Sequence, residues 1–118
     1  MMGAPFKCAG CSLGHLANAR TLLGEVLKFQ RLGETAQRDA HLFAFLGELR
    51  QAEEQHPDES ISAQMREIRK RVEAALSAKQ PIPDLSQELE IKGVELIRFL
   101  GEHPELCPTC TRVPVEHE

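Results

Sequence analysis

Apolar positions recur along the chain in four stretches at the three-and-four spacing of an α-helix, each followed within a few residues by glycine or proline. In the first, over about residues 12–32, Leu16, Leu23, Val26 and Leu27 share a face, and Gly33 supplies the stop. In the second, about 36–55, Ala40, Phe43, Leu46 and Leu49 form one row that Leu42 and Phe45 widen. Two such rows predict a helix buried on more than one side. His56-Pro57 ends it, because the residue before proline disfavours helix.

The third stretch, about 58–78, carries the narrowest stripe: Ile61, Met65, Ile68, Val72, Ala75 and Leu76. Its opposite face is charged, with Arg66, Glu67, Arg69, Lys70, Arg71 and Glu73. Asp58 is suited to accept the free N–H groups at its start, and Glu59 complements the positive helix end. Pro81 and Pro83 then impose an extended connector. The fourth stretch, about 85–103, holds Leu89, Val94, Leu96, Ile97 and Leu100, with Asp84 or Ser86 as its cap. Glu88 and Lys92 are spaced as an i,i+4 ion pair, and Pro104 closes the helix.

No strand-like alternation competes, and no internal repeat is visible. Helices of about 20 residues, each about 30 Å long at 1.5 Å per residue, joined by short connections, predict an all-α antiparallel four-helix bundle. Residues 1–118 then form a single domain, with 1–11 and 104–118 as terminal knuckles and tails. The connector between the third and fourth helices is the longest, and the up-down order is least constrained there.

Composition narrows the chemistry. Trp and Tyr are absent and only five Phe occur, so the core is aliphatic and base-stacking platforms are few. The net charge of -4 argues against a general nucleic-acid binder. No apolar run approaches membrane-spanning length, and the segment from Met1 to Lys7 lacks the apolar core of a signal peptide. A cytoplasmic location is the resulting expectation, and thiols there stay reduced.

Against that background the four cysteines read as metal ligands. Cys8-Ala9-Gly10-Cys11 precedes the first helix and Cys107-Pro108-Thr109-Cys110 follows the fourth. An up-down-up-down chain ends where it began, so both pairs are expected at one end of the bundle. A Cys-x-x-Cys spacing presents two thiolates to one tetrahedral ion, and Gly10 and Pro108 suit the turns that this needs. The four residues Cys107–Cys110 resemble half of a zinc knuckle as found in zinc ribbons. Thr111 replaces the usual following glycine. The expected cofactor is one structural Zn²⁺ per chain on Cys8, Cys11, Cys107 and Cys110, with Lys7, Arg112 and the start of the first helix offsetting its ligands' charge.

His15 is a fifth candidate, four residues after Cys11 on the same helical face, and three cysteines plus His15 form an alternative set. A closed Cys₄ site is usually not catalytic, no phosphate loop, nucleophile elbow or metalloprotease motif is present, and Ser12 with His15 lacks a third orienting group. Glu53-x-x-His56 is a lone match to a di-iron motif, which needs two. The expectation is therefore a non-enzymatic interaction or adaptor module. Its partner is another protein or a second copy, with the second helix as the packing surface. Alternatives are a thiol-based redox or metal sensor, and a nucleic-acid-binding regulator using Arg66, Arg69, Lys70 and Arg71.

Overall fold

A computed structural model describes residues 7–107 and 110. Pro108, Thr109 and Arg112, to which the sequence assigned turn and countercharge roles, and the segment 1–6 lie outside the described residues. Among those described there are four helices and no strand: α1 (Ala9–Leu32), α2 (Thr35–Gln55), α3 (Glu59–Ser77) and α4 (Ser86–Glu102). None of them is long and apolar enough to cross a membrane.

The helices form an antiparallel bundle in which α1 packs against α2 and α4, and α2 against α3. Polar contacts record the direction of each. Ser12 at the start of α1 donates to the Ala52 carbonyl near the end of α2 (2.7 Å). Ser62 at the start of α3 donates to the next carbonyl, Glu53 (2.6 Å). These two hydroxyls satisfy carbonyls in the last turn of α2, which have no partner within their own helix. Between α3 and α4, Arg71 reaches Glu88 (2.6 Å) and Lys92 bonds Gln64. Glu88 is therefore taken by α3, and Lys92 pairs with Glu95 (2.7 Å) instead of with Glu88.

Helix ends follow local chemistry. The Asp58 carboxylate accepts from Ser60 and Ile61 N–H, as its N-cap position requires. Gly33, at φ 72°, closes α1 with bonds from Gly33 N–H to Gln30 and from Glu34 N–H to Phe29. Lys79, at φ 57°, closes α3 in the same way, with Gln80 N–H on the Ala75 carbonyl. At α4 the N-cap is Leu85, whose side chain is buried, while Asp84 accepts the Ser86 N–H from one position further out (3.0 Å).

The core joins Leu16, Leu23 and Val26 of α1 to Leu42, Phe45 and Leu49 of α2. Met65, Ile68 and Val72 of α3 and Leu89 and Leu96 of α4 complete it. Each fully buried side chain of this size contributes roughly 1.5–3 kcal/mol by leaving water. The α2 row named from the sequence is split: Leu49 is in the core and Leu46 packs against it, while Ala40 is exposed and Phe43 is 82% exposed. Val94 and Ile97 of α4 are also exposed. A helix in a ring of four meets neighbours on two adjacent sides only, so the outermost apolar positions, Phe43 above all, are left in solvent.

The long connector is held by Gln30. Its amide donates to the Ile82 carbonyl (3.1 Å) and accepts the Ile82 N–H (2.9 Å), while Ile82 itself is buried. That two-point latch, together with buried Leu85, returns the chain to the end of α1 and starts α4 alongside it.

Candidate metal centre

Ala9 is buried and a strong helix former, so α1 begins three residues earlier than the apolar periodicity predicts. The first cysteine pair consequently lies in the opening turn of α1 instead of in a loop before it. Cys8 is the N-cap residue, in extended conformation, and Cys11 sits one turn on. Both thiols thus lie at the positive end of the helix dipole.

The second pair arrives from the end of α4. The Sγ–Sγ distances are 3.5 Å for Cys8–Cys110, 3.4 Å for Cys11–Cys107 and 3.5 Å for Cys11–Cys110. All four sulfurs lie within 4.8 Å of one another, and among the described residues no other donor joins this set. Four thiolates at 2.3 Å from a tetrahedral ion would stand about 3.8 Å apart, so the donor set matches a single ion in chemistry and in size. Cys8 is almost wholly buried (1% exposed) and the other three are half-buried. The Cys107 N–H donates to Cys8 Sγ (3.3 Å), an amide–sulfur bond that orients the ligand.

The thiols influence one another's protonation. Cys107 is pulled down to about 6, first by the Cys110 backbone N–H and then by the Cys11 thiol. Cys11 is pushed up to about 11, first by burial and then by its contact with Cys107. Burial likewise raises Cys110. Packing four sulfurs together allows one to ionise readily and makes further ionisation costly, unless a cation is present to share the charge.

Gly10 has a role that its sequence position did not reveal. It is helical, without positive φ, so the turn role expected of it does not apply. A Cβ on it would lie 3.0 Å from Leu106 Cδ2 and 3.1 Å from Cys110 Sγ. Glycine stands here because the second cysteine segment passes directly over the helix.

His15 lies outside the sulfur cluster: its Nδ1 bonds Glu48 Oε1 (2.8 Å), and this contact holds the Glu48 carboxyl below its ordinary value. Ser12 is turned to Ala52, so the two side chains considered as a catalytic pair are engaged elsewhere. His56 is fully buried, accepts the Asp58 N–H on Nδ1 (2.9 Å) and packs edge-on against Phe99 (centroids 4.7 Å apart). Its Nε2 has no hydrogen-bond partner among the described residues. Glu53, the other half of the di-iron match, is a buried anion gripped by Arg69 at 2.5 and 3.0 Å and by Arg66 at 3.3 Å. That ion-pair group was not anticipated. Glu53 falls on no apolar stripe, and only the α2–α3 packing brings Arg69 to it.

The same packing engages three of the four cations on the basic face of α3, while Lys70 is exposed and has no ion pair among the described residues. Arg66 pairs with Glu53 and Glu59, Arg69 with Glu53 and Glu73, and Arg71 with Glu88.

Fold and site together define a helical bundle whose two chain ends converge on a cluster of four thiols. The chain matches no protein-family model, no curated protein and no solved structure.

Proposed function

We propose that Cys8, Cys11, Cys107 and Cys110 hold one zinc ion per chain, and that the protein is a metal-fastened helical module that works by binding protein rather than by catalysis. The observation that carries this reading is the convergence of four sulfurs within 4.8 Å from the two ends of the chain. A tetrahedral set of sulfurs selects zinc or iron. Contacts of 3.4–3.5 Å between sulfurs suit one ion and leave no room for a multi-iron cluster among them. Four thiolates also fill the coordination of such an ion, leaving no position for a substrate. His15 is not needed as a ligand, since Glu48 already engages it.

The binding role is supported by apolar side chains left in solvent on α2 and α4, chiefly Phe43, Val94 and Ile97. With Arg66, Arg69 and Arg71 committed to carboxylates, a phosphate-binding face on α3 has less to recommend it. Elemental analysis of the purified protein tests the metal assignment. One zinc per chain is expected, and a chain that purifies without metal and takes up none from added zinc would refute it.

A further inference from the structure

The outer face of α2, with Phe43 as its one large apolar side chain, has a regular spacing. Ala36, Ala40, Phe43, Gly47, Arg50 and Glu54 follow one another at intervals of four, three, four, three and four, the a/d spacing of a heptad, with small residues and one charged pair around Phe43. All six are exposed. Phe43 projects from the seam as a knob, and Gly47, where an added Cβ would meet nothing within 4 Å, is an open seat one turn further on. Phe43, Leu46, Gly47, Arg50 and Glu73 line a cleft of about 390 Å³ beside it.

We propose that this face is the contact between two copies of the chain, formed by antiparallel pairing of α2 with α2 of a partner about a twofold axis near residue 45. The occupant follows from the seam's self-complementarity. In the register that seats Phe43 over the partner's Gly47, the partner's Phe43 is seated over Gly47 by symmetry. Ala40 then lies opposite the partner's Arg50, whose aliphatic stem covers the small residue. Asp39, exposed beside Ala40, meets that guanidinium on each side. One register thus satisfies the knob, the seat and the charges twice over, as a closed isologous dimer requires. Among the described residues Asp39 pairs with Arg38 alone, and Arg50 lies 3.7 Å from Glu73, so both groups are placed near the surface to exchange partners. The inference gives the protein-binding part of the proposed function a specific partner. It does not depend on the metal.

The experiment is sedimentation equilibrium of the full-length, zinc-replete protein over a wide concentration range, with zinc content measured on the same samples. A concentration-dependent dimer is expected. Phe43→Glu and Gly47→Leu should each weaken it at least about tenfold while leaving zinc content and helicity unchanged, since neither position touches the core. Asp39→Arg alone should weaken it, and Asp39→Arg with Arg50→Asp should restore it. Val94→Glu, on the other exposed face, should have no effect. A monomer at every concentration, or a dimer indifferent to Phe43→Glu and Gly47→Leu, would overturn the proposal. If zinc is retained in that case, the metal assignment stands. A dimer disrupted by Val94→Glu instead would move the interface to α4 and equally overturn it.

Discussion

Cys11 and Cys107 are 96 positions apart in the chain, and their sulfurs are 3.4 Å apart. Each belongs to a Cys-x-x-Cys pair that could hold only half of a tetrahedral ion. The bundle between them is what completes the site.

Removing one ligand should therefore act on the whole fold. Zinc binds the folded chain and leaves on unfolding, so its binding free energy adds to stability, about 3–4 kcal/mol where free zinc stands at 100–1,000 times Kd. At roughly 4 °C per kcal/mol, Cys107→Ser should lower the Tm by roughly 15 °C and abolish stoichiometric zinc. Calorimetry with metal analysis checks this. Zinc content equal to that of the unaltered protein would contradict a shared site. A strong chelator should produce the same fall in the unaltered protein. Because acid protonates the thiolates, metal retention should decline as pH drops, with proton uptake on release.

Gly10→Val should weaken zinc without harming the helix. Valine needs space that Leu106 Cδ2 and Cys110 Sγ occupy, at 3.0 and 3.1 Å from the would-be Cβ. Displacing a ligand's support typically costs 10–100-fold in metal affinity, and a loss of at least about tenfold is expected in a chelator competition. Helicity by circular dichroism should be unchanged. Unaltered affinity would mean that the second pair does not pass over Gly10.

The Glu53–Arg69 pair should behave as a buried ion pair and Arg66 as a surface one. Arg69→Ala strands the Glu53 carboxylate, whose side chain is 5% exposed, and should cost roughly 3–5 kcal/mol in denaturant unfolding. Arg66, itself 37% exposed, also touches Glu53, yet Arg66→Ala should cost less than about 1 kcal/mol. The substitutions Glu53→Leu and Arg69→Met together should recover most of the loss. Equal effects of Arg66→Ala and Arg69→Ala would show that burial does not distinguish them.

His56 should make stability pH-dependent in a defined direction. Burial lowers its pKa below the ordinary 6.5, so the folded protein keeps the ring neutral where the unfolded chain would protonate it. The stability contribution is present above about pH 6.5 and is lost as pH falls below it. Between pH 7.5 and 5.5 the loss from this group should reach at most about 1.4 kcal/mol. His56→Asn keeps an acceptor for the Asp58 N–H but cannot titrate, and its stability should fall less over that interval. Parallel profiles for the two proteins would remove His56 as the cause.

The four helices and most of their ends were legible in the sequence because their causes are local. Apolar spacing, Gly33, Pro57, the Asp58 cap and the 81–83 connector each act within a turn or two of the backbone. The meeting of the cysteine pairs followed from counting helices, since four antiparallel elements return the chain to its starting end. Tertiary packing decided the rest. It extended α1 through the first pair by burying Ala9, and it made Gly10 a matter of clearance instead of backbone angle. It carried Arg69 to Glu53 and Arg71 to Glu88, so that of the basic face read in one dimension only Lys70 is left without a carboxylate among the described residues. It also split the wide apolar face of α2, taking Leu42, Phe45 and Leu49 into the core and leaving Phe43 outside. Such choices depend on which helix lies on which side. Periodicity along one helix says how wide its apolar face is, but not how much of that face its neighbours cover.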